Sequence, residues 1–337
     1  MQPTLTDEGV RLGDDARQRL HYARGYGRLI GDHELLLAPV EAAYLLYRGD
    51  IPSVDGMDFR EYLATTTARL FSRFTVLKDL RERGFYLSPS DEPLIDFEVY
   101  ERGSDPTGGS IVYSVRVVDE RDRLPVRSLG PSVLAVVDEE GEVGYLAVDG
   151  EPPIGNVDAM DGKAIDATLL DHRVIVWHPP PRLYTTSFYG RPLADRASLD
   201  AGVQLSLVEA HYLAERGLLT SPPTVSAIAT AGGESDGSQF DRRLIIYRTL
   251  RQQGTIPKTG YKFGMDFRVY DEFTTVDDMT HSTALVRVLG LDAELTPLDC
   301  ARDVRLAHGV GKRMVFAVTD ETAETDVSWI SMKRITP

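Results

Sequence analysis

Apolar and polar positions along this chain follow one pattern, twice. ELLLAPVEAAYL (34–45) is matched by GVQLSLVEAHYL (202–213), VLKDLRERGFYL (76–87) by IYRTLRQQGTIP (246–257), and DFEVYERG (96–103) by DFRVYDEF (266–273). SVLAVVDEEGEVGYLAVD (132–149) is matched by RMVFAVTDETAETDVSWI (313–330), and the leading YGR at 26–28 returns at 189–191. The offset drifts from 168 through 170 to 182. Four blocks in one order with a slowly drifting offset mark an internal duplication.

Each copy predicts the same elements. A short helix starts near Val40 or Val208, and a longer amphipathic helix follows. Leu63, Leu70, Phe74 and Leu77 share one face of it in the first copy, and Phe240, Leu244 and Tyr247 do so in the second. Gly84 and Gly254 stand where helix C-termini favour glycine. The runs IDFEVYE and SIVYSVRVV, like MDFRVYD and STALVRVLG, predict strands, and the last two runs of each copy predict a hairpin about an acidic turn. The expected class is α+β or mixed α/β, each copy having a short sheet packed by helices. Residues 1–150 form the first copy and 151–164 a linker within the Pro/Gly/Asp-rich DGEPPIGNVDAMDGKA. Residues 165–237 form an N-terminal module of the second copy, closed by the polar AGGESDGSQ, and 238–337 its final domain.

The copies diverge late. The second has 12 extra residues before its last hairpin, and they predict a helix in LTPLDCARDVRLAHGV. Thr296 suits its cap, Pro297 its first turn, and Gly309 and Gly311 its end. The corresponding DERDRLPVRSLGP is too short and is broken by proline. Among polar residues Tyr270 matches Tyr100, but His281 lines up with Ile111 and Lys312 falls near Gly130. One working unit beside a degenerate copy is the expected arrangement.

Composition narrows the chemistry. The 337 residues exceed one ordinary domain, and 42% apolar with 26% charged residues is a normal globular balance. No apolar run approaches 18 residues and the start is polar, so neither a membrane span nor a secretory signal is expected. Cys300 is the one cysteine, which excludes a disulfide framework and fits a reducing cytoplasm. The net charge of −15 argues on its face against nucleic acid, yet residues 241–337 hold 14 basic and 14 acidic side chains. The last third is the part least hostile to an anion.

The seven histidines show no HxxxH or HxH spacing, and Gly-Val-Gly rather than an acidic pattern precedes Lys312. No glycine-rich phosphate loop or GxSxG elbow occurs. No metal and no cofactor are therefore expected. Singly, each of Tyr270, His281 and Lys312 has an ordinary structural reading. Together they suit metal-free cleavage of RNA, whose 2′-hydroxyl is a built-in nucleophile. That reaction needs a group to take the hydroxyl proton, an acid for the leaving 5′-oxygen and a fixed cation for the phosphorane. His281 suits the acid, Lys312 the cation; a tyrosine, with its pKa about 10, is a poor base unless shifted.

KTGYKFGMDFRVY (258–270), HSTALVRV (281–288) and VRLAHGVGKRMVFAVTD (304–320) carry a resemblance that spans nearly the whole chain. The sequence resembles the archaeal tRNA-splicing endonucleases, in their homodimeric branch with one catalytic and one degenerate repeat. The resemblance implies that each repeat is a small N-terminal α+β module followed by a mixed-sheet, nuclease-like domain. It assigns catalysis to Tyr270, His281 and Lys312. The implied substrate is precursor tRNA with a bulge–helix–bulge, cut to 2′,3′-cyclic phosphate and 5′-hydroxyl ends without a metal; no DNA and no membrane partner are expected. It further implies that Arg305 grips a bulged base and that the turn holding Asp138, Glu139 and Glu140 docks on a second subunit. An ordinary acidic surface turn remains the other reading of those three. Trp329 is open between a stacking partner for Arg305 and a strand residue packing the sheet. Two competing readings stand beside this one: a non-catalytic RNA-binding or assembly subunit, and a metal-dependent nuclease.

Overall fold

The computed structural model describes residues 3–104, 108–194, 198–220, 222–320 and 326–337. Each copy opens with a four-stranded antiparallel sheet, Thr4–Thr6, Gly9–Leu12, Arg28–Ile30 and Glu34–Leu37 in the first. Ala167–Leu170, Arg173–Val176, Arg191–Pro192 and Val203–Ser206 repeat it in the second with the same strand order. A helix follows each, α1 (Pro39–Arg48) and, in the second copy, Leu207–Glu215.

The first copy then continues with α2 (Phe59–Ala64) and α3 (Ala68–Glu82). Leu63 therefore lies on a separate short helix rather than on one face with Leu70, Phe74 and Leu77. The break falls at three successive threonines, 65–67, which are poor helix formers. The hydroxyls of Thr65 and Thr66 bond back to the carbonyls of Tyr62 and Leu63, closing the helix. In the second copy the helix Leu207–Glu215 is α4, and α5 (Val225–Asp236) and α6 (Ser238–Gln252) follow it. The polar run at 231–239, read as a separator, is thus mostly helix. Gly232 is the reason it fits: a Cβ there would come 2.5 Å from the Phe240 ring. The chain turns between the two helices at Gly237, with φ +57.

The main sheet corrects the expectation of two short ones. Its strands are β1 (Tyr86–Pro89), β2 (Phe97–Tyr100), β3 (Ile111–Asp119), β4 (Ser132–Val137) and β5 (Val143–Asp149) from the first copy. The second contributes β6 (Ile256–Thr259), β7 (Phe267–Tyr270), β8 (Ala284–Gly290), β9 (Arg313–Thr319) and β10 (Val327–Ile335). All ten form one sheet in the order β6-β7-β8-β9-β10-β5-β4-β3-β2-β1. The last hairpins of the two copies meet through antiparallel β5 and β10, where Asp149 pairs with Ser331. The next pair, Val148 with Met332, joins residues that the strand register makes equivalent in the two copies, so an internal two-fold axis passes between them. The acidic turn expected in the second hairpin, at 321–325, lies outside the described residues.

Side chains alternate across this sheet. One face of β7–β10 packs on α6, with Phe240, Leu244, Tyr247 and Leu250 against Phe267, Val269, Val286, Val315 and Ala317. The opposite face, with Leu285, Met314, Phe316, Ile330 and Met332, lies under α7 (Pro297–Gly309) together with Leu134, Leu146 and Val148 of the first copy. The extra helix therefore roofs the join between copies. Thr296 caps it by accepting from Asp299 N–H, and Pro297 takes its first turn. The segment 151–164 is irregular but bound: Gly155 and Val157 donate to the carbonyls of Gln253 and Gly254, and Asn156 donates to that of Asp271.

Candidate active site

A backbone ladder brings three polar side chains to one end of three adjoining strands. β7 runs antiparallel to β8, and β8 parallel to β9. Thr283 N–H donates to Val269 O at 2.8 Å, and Arg313 N–H donates to Thr283 O at 2.9 Å. Tyr270 follows Val269, Lys312 precedes Arg313, and His281 stands two residues before Thr283. Adjacent strands lie about 4.8 Å apart, so these backbones span roughly two strand spacings.

Each of the three has a different setting. The Tyr270 ring is only 4% exposed and meets Phe188 edge-to-face at 5.6 Å. His281 is exposed at the end of an irregular segment. Lys312 is half-buried behind the last turn of α7, its N–H donating to Ala307 O and its Nζ to Val310 O. A cation at a helix C-terminus is favoured by the helix dipole. Burial, and then the nearby positive charge of Arg268, lower the Lys312 pKa from its ordinary value.

Phe188 is a support that the sequence did not reveal. It holds a left-handed backbone, φ +50, which is costly for an aromatic residue, and it also stacks on Phe273 at 5.1 Å. Lys258 fixes it in place. Its Nζ donates to the Phe188 and Gly190 carbonyls at 3.1 Å and to Glu209 Oε1 at 2.6 Å. Glu209 in turn accepts from Ser206 and Gly190 N–H. Burial opposes the charge on Glu209, but Lys258 and these donors outweigh it and hold the carboxyl below its ordinary value. The Ser206-x-x-Glu209 capping box was a readable signal; the burial of Lys258 was not.

The first copy shows what is missing at its equivalent end. Phe97 pairs with Val115 where Phe267 pairs with Val286. That register makes Ser110, rather than Ile111, the counterpart of His281. The shift of one arises because Phe97 and Val115 are 18 residues apart where Phe267 and Val286 are 19; separately, the β2–β3 pairing passes over Val112 between Val99 and Tyr100. Gly130 stands at the place of Lys312. The Tyr100 hydroxyl donates to Glu98 at 3.3 Å, on its own strand.

The remaining expected residues are dispersed. Arg305 is exposed on α7. Trp329 is half-buried on β10, packed with Val315 and Ala317 on the face away from α7. Within one chain the sheet separates the two side chains. In the acidic turn, Asp138 Oδ1 accepts from Glu140 and Glu142 N–H, so its carboxylate organises the turn itself. Glu139 pairs with Arg121 at 3.1 Å in the open, and Glu140 is exposed. Among the described residues no group of three or more His, Cys, Asp or Glu could hold a metal ion. No helix among them is long and apolar enough to cross a membrane.

Comparison with known proteins matches this asymmetry. The family model for the N-terminal domain of tRNA intron endonuclease matches residues 1–63 and again 165–228. The model for its catalytic C-terminal domain matches residues 240–329, which contain the ladder. The chain belongs to the tRNA intron endonuclease family. Among relatives named tRNA-splicing endonuclease, those of Halobacterium salinarum and Haloferax volcanii are each 48% identical to it over the full length of both chains. That of Methanosarcina acetivorans is 35% identical over 99% of each. The tRNA intron endonuclease catalytic domain thus coincides with the copy that keeps Tyr270, His281 and Lys312.

Proposed function

We propose that this protein excises introns from precursor tRNA by cutting bulge–helix–bulge RNA without a metal ion. Family membership makes it a tRNA-splicing endonuclease, a tRNA-intron lyase. In the reaction the 2′-oxygen bonds to phosphorus and the bond to the 5′-oxygen breaks. Tyr270 orients the 2′-hydroxyl or takes its proton, His281 protonates the departing 5′-oxygen, and Lys312 opposes the charge on the phosphorane. The products are a 2′,3′-cyclic phosphate and a 5′-hydroxyl.

The observation that supports this assignment is the Val269–Thr283–Arg313 ladder, which gathers those three residue types at one strand end. A bulge–helix–bulge has two cleavage sites and one chain carries one such end, so two chains in a closed two-fold dimer meet the need. Glu139 and Glu140, on the first copy's turn, are the side chains available for docking on the other subunit. Arg305 contacts the bulged bases. A buried single thiol, Cys300, suits the cytoplasm. The test is cleavage of a bulge–helix–bulge RNA in EDTA with analysis of the product ends. Cyclic phosphate in EDTA is expected, while cleavage only with magnesium, or none at all, overturns the proposal.

A further inference from the structure

Arg268 has charge with nothing to spend it on. It sits on β7 two residues before Tyr270, flanked across the sheet by Lys258 and Leu285. Its guanidinium carbon lies 5.9 Å from the centre of the Tyr270 ring, and its charge reaches Lys312 strongly enough to oppose that lysine's protonation. Other arginines of the same domain find carboxylates: Arg243 pairs with Asp236 and Asp266, and Arg287 with Asp303. Among the described residues Arg268 has no such partner, and its Nε is shut off from solvent without an acceptor.

In a chain of net charge −15, an unpaired arginine beside a second cation is an arrangement that folding alone does not favour. An anion placed between Arg268 and Lys312 resolves it. The first copy sharpens the point, because the residue in the same register is Glu98, bonded to Tyr100. The cation is present where the polar triad is present and is replaced by an acid where it is absent.

We infer that Arg268 is a phosphate-binding residue of the cleavage site, holding a non-bridging oxygen of the RNA backbone beside Lys312. This rests on the function proposed above and adds a second fixed cation to it. Arginine suits the task because its planar fork can hold two oxygens at once, whereas Lys312 acts as a point charge.

The test has two arms. In the first, affinity for a precursor carrying a 2′-deoxy residue at the cleavage site is measured against salt, which requires no chemistry. Arg268→Gln should lower the slope of log affinity against log salt by about 1, and Arg268→Lys should restore it. In the second, single-turnover cleavage should fall on the order of 10²-fold in Arg268→Gln. Parental slope and parental rate in Arg268→Gln overturn the inference. So does a loss of rate with a parental slope and a lowered melting temperature, which marks a structural arginine packed on Tyr270. If Arg268→Gln does not fold, Arg268→Lys decides: a parental slope and a reduced rate at a parental melting temperature support the inference, and a parental rate, or a reduced rate with a lowered melting temperature, sinks it. If the parent itself fails to cleave, the proposed function falls while the salt arm still tests Arg268.

Discussion

The two ends of the ten-stranded sheet share a backbone and differ in charge. Around Tyr270 stand Lys258, Arg268, His281 and Lys312; around Tyr100 the same places hold Ser88, Glu98, Ser110 and Gly130. The buried glutamates at the helix starts show the same contrast. Glu41 accepts from Gly27 and Ala38 N–H without a lysine, and burial pushes its carboxyl above the ordinary value. Glu209 has Lys258 and is held below it. A duplicated fold can keep its apolar positions and strand pairing while one copy lacks the cations that the other carries. Core packing and site chemistry are separable layers of the same sequence.

The contrast can be broken at several points. The largest effect is expected from Glu139→Lys with Glu140→Lys, which spares Asp138 and so leaves the turn intact. This variant should run as a monomer in light scattering and lose cleavage; an unchanged dimer mass excludes the turn from assembly. Next, His281→Ala should slow single-turnover cleavage roughly 10²–10⁴-fold with RNA affinity unchanged, while Tyr100→Phe at the other end leaves the rate at its parental value.

Lys258→Met isolates the glutamate comparison. It strands Glu209 in a buried site, a change that costs on the order of 3–5 kcal/mol in the unfolding free energy. In the parent, the lowered pKa of Glu209 gives stability that is present above the ordinary carboxyl range and lost as pH falls through the folded value. In the variant burial dominates, as at Glu41, so the pKa is raised and the contribution is greatest at low pH. Melting curves across mildly acidic pH should therefore show the gap between variant and parent narrowing as pH falls. The smallest effect is that of Arg305→Ala, about 1–3 kcal/mol of binding to bulged RNA with little change for plain duplex. Equal loss on both would make Arg305 a phosphate contact.

Much of this was legible in the sequence. Periodicity located α3 and α6, alternation located the strands, and Thr296 and Pro297 marked the start of α7. Comparing the two copies made His281 and Lys312 candidates, because a second copy lacking them lay in the same chain. What stayed hidden depends on contacts far apart along the chain. The β5–β10 pairing joins segments separated by more than half its length, and no local pattern encodes it. The burial of Lys258 arises only when the N-terminal module docks on β6, and the backbone of Phe188 is a consequence of that docking. Trp329, open in the sequence between stacking on a base and packing the sheet, pairs with Ala317 on β9 and packs on the α6 side.

Joining the hairpins also changes how the molecule meets others of its kind in the unfolded-to-folded passage. Two separate five-stranded sheets would expose four open edges, each a template for adding a foreign strand. The joined sheet has two, β1 and β6. Each is only four residues long and contains a proline, Pro89 in one and Pro257 in the other, which lacks the N–H an added strand would need. A protein whose inner edges are mutually sealed and whose outer edges are short and proline-blunted is guarded against edge-to-edge aggregation by its topology.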